Sequence, residues 1–135
     1  MAYMNQERKN KLAPAIKSVL KKYGIKGSIS TDRHSLNVNL QSGVLDLIGN
    51  MNATCSNDPY QADRFAPVTN GNTQVNPYWF QNHFSGKAKK FLTELLAAMN
   101  DGNHDNSRIE VDYFDVGWYV NVNIGKWNKP YVVKQ

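Results

Sequence analysis

Leu36-Asn37-Val38-Asn39-Leu40 alternates apolar and polar residues, and Val120-Asn121-Val122-Asn123-Ile124 repeats it in residue class at every position. Successive side chains of a β-strand point to opposite faces. Each segment therefore predicts a strand with one buried face and one face of asparagine amides. The first alternation runs over residues 34–41, with Leu36, Val38 and Leu40 opposite Asn37, Asn39 and Gln41. The second places Trp118, Val120, Val122 and Ile124 opposite Tyr119, Asn121 and Asn123. Each segment closes a helix–strand–strand unit, which fits an internal duplication and equally fits two ordinary strands that look alike.

Outward from these strands the chain supplies their neighbours. Residues 25–31 form a weakly patterned strand, joined to the first alternation by a turn at Thr31-Asp32-Arg33. Residues 107–113 alternate as well, and Asp115-Val116-Gly117 offers a hairpin turn into the last strand. Leu12, Ile16, Val19, Leu20 and Tyr23 recur at helical spacing, predicting a helix over residues 5–23 capped by Asn5 and closed by Gly24. Pro14 interrupts its hydrogen bonding and predicts a kink or a fresh start there. Ala88, Phe91, Leu92, Leu95, Leu96 and Met99 predict a second helix with Ser85 as N-cap and Gly102 past its end. Val44 to Ile48 fits a strand or a short helix. Over residues 50–76 the periodicity fails, predicting a long irregular loop, either functional or a cover pinned by Tyr60 and Phe65. The expected fold is a single α+β domain over residues 1–135. It is an antiparallel sheet of about four strands with two helices on one face, in the order helix-strand-strand-loop-helix-strand-strand.

Length and composition fit this. The chain has 135 residues, 41% hydrophobic and 20% charged, enough for a core without metals or disulfides. Cys55 is its single cysteine, so no intrachain disulfide forms and a reducing cytoplasm is the expected location. No apolar run approaches the roughly 20 residues of a membrane span. The first residues turn polar too early for a signal peptide. Formal net charge is +5, unevenly spread. Residues 1–33 hold eight Lys and Arg against two acids, residues 94–115 hold six acids against one Arg, and Lys126, Lys129 and Lys134 follow. Such a dipole steers a molecule toward a charged partner, although lysine-rich helix faces are also common as plain solvated surface.

Catalytic and metal chemistry find little support. His34, His83, His104 and Cys55 lack metal-ligand spacing, and no cofactor is expected. Cys55 has no positive neighbour to activate a thiolate. His104 with Asp105, Asp112 or Asp115 could build an acid–base pair, yet Asn103-His104-Asp105-Asn106 reads first as a loop. Glycine-rich phosphate loops are absent. Binding has more. Arg8, Lys9, Lys11, Lys17, Lys21, Lys22, Lys26 and Arg33 are candidates for phosphate contacts, and Trp79, Tyr119, Trp127 and Tyr131 for base stacking. Against a nucleic-acid reader stand the acids of residues 94–115. Tyr78, Trp79, Phe80 and Phe84 crowd one segment and suggest anchors for a protein partner.

Tyr113-Phe114-Asp115-Val116-Gly117-Trp118-Tyr119-Val120, Asn123-Ile124-Gly125-Lys126-Trp127 and Lys129-Pro130-Tyr131 resemble a family of large polyvalent-protein-associated domains of phages and other mobile elements. Leu12-Ala13-Pro14-Ala15-Ile16-Lys17 and Gly102-Asn103-His104-Asp105 are similar to it too. The resemblance implies a mobile-element accessory protein without assigned catalytic residues; domains of this class often sit in long proteins, and this chain departs from them as a small stand-alone member. The expected function is non-enzymatic binding that modulates or inhibits a host or defence complex through the basic helix and the aromatic segment. Direct nucleic-acid binding is the alternative, and an enzyme with an unrecognised site the third. No membrane partner is expected, and no oligomeric state is indicated.

Overall fold

The computed structural model describes residues 4–32, 34–58, 62, 67–69, 71–77, 80–101, 103, 118–126 and 128–134. Helix α1 spans Gln6–Lys22, and the Asn5 side chain caps it by accepting from the Arg8 N–H at 2.8 Å. Leu12, Ile16 and Leu20 form its buried stripe. The helix runs unbroken through Pro14. Pro14 and Asn10, the residue whose carbonyl it leaves without an intrahelical donor, are both exposed, so water can take that acceptor. Gly24, at φ 67°, then turns the chain straight into β1 (Ile25–Thr31), a conformation that L side chains resist.

Strand β1 pairs antiparallel with β2 (Ser35–Gly43). Asp32 organises their turn, its carboxylate accepting from the backbone N–H groups of His34 and Ser35 and from the Ser35 hydroxyl at 2.6 Å. Beyond β2 come α2 (Leu47–Asn57), β3 (Thr73–Val75), the single turn α3 (Phe80–His83) and α4 (Gly86–Met99). Strands β4 (Tyr119–Ile124) and β5 (Val132–Val133) follow. The sheet order is β1-β2-β4-β3, with β5 beside the end of β2.

The α+β class and the helix-strand-strand order agree with the sequence, with two differences. The sheet is mixed, because β2 and β4 run parallel while β1–β2 and β3–β4 are antiparallel. Alternation reveals which side chains share a face but is blind to strand direction. The chain passes through α2, β3, α3 and α4 between β2 and β4, a crossover long enough to bring it back in the same sense. The stretch expected to be an irregular loop over residues 50–76 also contains most of α2 and all of β3. In α2 the buried residues Leu47, Met51 and Cys55 do recur every four positions. Gly49, Asn50 and Asn52 between them are poor helix formers and mask the pattern. The strand predicted at residues 107–113, the turn at residues 115–117, Gly102, Tyr60 and Phe65 lie outside the described residues.

The two echoing segments are neighbours in space. Leu36 pairs with Val120, Asn37 with Asn121, Val38 with Val122, Asn39 with Asn123 and Leu40 with Ile124. Their apolar faces meet the buried stripes of α1 and α4 in one core, in which Leu36, Val38, Phe91, Leu92, Leu95 and Ile124 are fully buried. The Tyr23 ring meets Phe91 edge-on at 5.3 Å, and the buried Trp118 donates its indole N–H to the Met99 carbonyl at 3.0 Å. Burying one face against the helices leaves the other face of the sheet without a covering element among the described residues.

Candidate nucleic-acid interface

The face that no described element covers is built of amides and hydroxyls. Gln74 of β3 donates to the Asn121 side-chain oxygen at 3.2 Å, and Asn121 donates to that of Asn37 at 2.8 Å. One step along, Asn123 donates to Asn39 at 3.0 Å, and Asn39 to the Ser30 hydroxyl at 3.3 Å. Two short hydrogen-bonded rows thus cross the sheet. Each amide has two donors and two lone pairs, so a row joined by single bonds keeps hydrogen-bonding capacity for a ligand. Tyr119, 46% exposed, stands at one end of β4 on this same face. None of the five strands carries an acidic residue.

At the opposite end the sheet is interrupted. Strand β4 ends beside Leu40, and Gly125, at φ 71°, takes the chain out of line. The backbones of Lys126 and Lys129 bond each other at 2.8 and 3.1 Å to close a tight turn. Tyr131 returns the chain by donating its N–H to the Gly71 carbonyl, and β5 resumes alongside Ser42 and Gly43. The break opens a cleft of about 500 Å³ whose lining includes Lys26, Lys126, Lys129 and Lys134 together with Asn39 and Gln41. No carboxylate is among the described residues that line it.

The candidates from the sequence are dispersed. Lys26 is exposed on β1 and lines the cleft. Lys17 and Lys21 are exposed on α1, Lys9 is half-buried there, and none of the three lines the cleft. Lys22 bonds Glu94 at 2.7 Å, and the Tyr23 hydroxyl donates to the same carboxylate. These bonds hold Glu94 below the ordinary carboxylate range and raise Lys22. The Arg8 guanidinium lies 5.6 Å from the Trp118 ring centroid, a cation–π distance. Tyr131 is a core residue and not a stacking platform. It is 8% exposed, its hydroxyl donates to the Leu45 carbonyl at 2.8 Å, and burial with the Asp46 charge beyond it pushes its phenol up to about 12. Its aromatic residue type suggested stacking, and only the return of the chain at the strand break shows that the ring turns inward. Arg33, Tyr78, Trp79 and Trp127 lie outside the described residues, as do His104, Asp105, Asp112 and Asp115.

Cys55 is buried, with its thiol directed at the His83 backbone carbonyl at 3.7 Å, and burial pushes the thiol pKa up, away from a reactive thiolate. Among the described residues no three His, Cys, Asp or Glu side chains gather as metal ligands, and no helix is long and apolar enough to cross a membrane. The cleft lysines of the C-terminal segment entered the sequence reading only as tail charge. The available signal was Gly125 and Pro130 bracketing two lysines directly after a clean alternation, the mark of a strand that breaks and resumes. Compared with protein-family models, with curated proteins and with solved structures, the chain matches none.

Proposed function

We propose that this protein is a non-enzymatic nucleic-acid-binding protein that receives a single strand on the open face of its sheet. The observation that carries this is a polar sheet face that has no acidic residue among the described strands and ends in a four-lysine cleft. Lysines supply the phosphate attraction, the amide rows offer donors and acceptors to base edges, and Tyr119 offers a stacking surface. From Tyr119 to Gly125 the strand covers about 20 Å, a platform for roughly two or three bases. Duplexes present their bases stacked and inward, so a flat platform favours unpaired strands.

The test is fluorescence anisotropy with labelled single-stranded DNA, RNA and duplex DNA across a salt series. Single strands are expected to bind more tightly than duplex. The logarithm of their affinity is expected to fall with the logarithm of salt, with a slope of about −0.7 for each phosphate that the lysines neutralise. Absence of binding at low salt would overturn the proposal.

A second reading draws on the other side of the molecule. Lys17 and Lys21 are exposed on α1, with no carboxylate partner among the described residues. They could dock an accessory protein of a mobile element against an acidic host or defence complex. That reading predicts that Lys17→Ala with Lys21→Ala abolishes partner binding while strand binding persists.

A further inference from the structure

Resting on the strand-binding reading, we infer that the cleft between β4 and β5 is a subsite for a phosphomonoester, the terminal phosphate of a strand laid along the sheet. The placement of charge argues for an end over an internal link. Four lysines from three parts of the chain line one opening: Lys26 from β1, Lys126 and Lys129 from the two sides of the turn, and Lys134 from beyond β5. An internal phosphodiester brings a single negative charge, which would leave this cluster mostly unneutralised. A terminal phosphate carries between about −1.5 and −2 at neutral pH and presents three strong acceptor oxygens. Lysine suits that task, as a compact charge with three donors that can follow the rotation of a monoester.

Shape points the same way. The opening of about 500 Å³ lies within the range that holds a small ligand and exceeds what a phosphate alone requires. Pro130 and Val132 line it beside the lysines, and Val132 is 54% exposed. An apolar wall next to a cationic mouth fits a whole terminal nucleotide, with the phosphate on the ammonium groups and the sugar or base against the wall. The break that makes the cleft is also fixed by the backbone. A Cβ added at Gly125 would meet the Gly71 carbonyl oxygen at 2.5 Å and the Tyr131 nitrogen at 2.6 Å, so only glycine fits where the strand turns out.

The experiment compares internally labelled oligonucleotides of one sequence carrying a 5′-phosphate, a 3′-phosphate or hydroxyls at both ends, at fixed salt, with a nucleoside monophosphate as competitor. One of the end-phosphorylated strands is expected to bind about tenfold more tightly than the hydroxyl-ended strand. Lys126→Ala with Lys129→Ala should reduce that preference to within twofold. Lys87→Ala with Lys89→Ala, which removes the same charge from the exposed side of α4, should leave it intact. Both pairs are surface changes, and circular dichroism verifies that the fold is retained. Equal affinity for all three strands overturns the inference while leaving strand binding standing. Failure of every strand to bind at low salt removes the strand-binding reading itself. Binding of the nucleoside monophosphate with no preference among strands overturns a strand end and assigns the same phosphomonoester chemistry to a free nucleotide.

Discussion

At the scale of the residue, the asparagines explain most of what looked irregular in this chain. Asn52 accepts from the Val68 N–H at 2.8 Å and donates to the Val68 carbonyl at 3.0 Å, so one side chain satisfies both backbone groups of a distant residue. Asn50 does the same for Ser85, and Asn103 for Trp118. Each amide pairs with a backbone N–H and carbonyl as a neighbouring strand would, tying that backbone to the core. Asn52→Ala is expected to destabilise the protein by about 1–3 kcal/mol, because both Val68 groups lose their partner at once. A lower urea midpoint with an unchanged slope would show it, and Asn52→Asp should not rescue, since its second oxygen would face the Val68 carbonyl. Tyr131 makes a prediction in pH. Its phenol is neutral in the fold and raised to about 12 by burial, above the ordinary value of 10.0. Its contribution is therefore complete below pH 10 and is lost as pH rises toward 12, because the unfolded chain gives up that proton first. Tyr131→Phe should cost about 1 kcal/mol at neutral pH through the lost bond to Leu45, and should flatten the alkaline decline in thermal midpoint between those limits. An unchanged alkaline decline would place its cause elsewhere.

At the scale of the element, helix α1 tolerates a residue that its pattern argues against. Pro14 removes a hydrogen bond inside the helix at a general cost of about 3 kcal/mol, yet the apolar stripe of Leu12, Ile16 and Leu20 holds both halves on the sheet. Pro14→Ala is expected to stabilise the protein by about 2 kcal/mol, the restored bond being offset by about 1 kcal/mol from a freer unfolded chain. Chemical denaturation measures this directly, and a loss of stability would show that proline preorganises the helix. The same comparison separates what could be read in advance from what could not. The faces of β2, β4, α1 and α4 were legible because each has a clean period and each buries one side. The Asn5 cap and the turn at Gly24 were legible because few residue types can fill those places. The parallel pairing of β2 with β4 was not, since the register between segments 84 positions apart leaves no trace in either one. The cleft was hidden for the same reason. Lys26 and Lys134 are brought together only by β5 pairing with β2.

At the scale of the whole molecule, the sheet separates an apolar core from a polar face. Among the described residues, the large side chains that are fully buried lie on the helix side or in the elements that close it, while Gln74 and Asn121 sit on the other. Substitutions on the two sides should therefore have opposite signatures. Phe91→Ala empties a fully buried position beneath Tyr23 and is expected to cost about 3–5 kcal/mol of stability, a large part of what a domain of this size possesses. Tyr119→Ala removes an exposed ring that the core does not use, so stability should change by no more than about 0.5 kcal/mol. If the open face receives a strand, the same change should weaken single-strand affinity by about 1–3 kcal/mol, roughly a 5- to 150-fold loss, through lost stacking. Because stacking involves no phosphate, the slope of affinity against salt should stay where it is, whereas removing Lys126 and Lys129 should make it shallower. Measuring midpoint, affinity and salt slope on these variants separates three roles that a single binding assay would merge. A Tyr119→Ala protein that folds normally and binds as the parent does would mean that the strand lies elsewhere, with α1 and its exposed lysines as the next surface to probe.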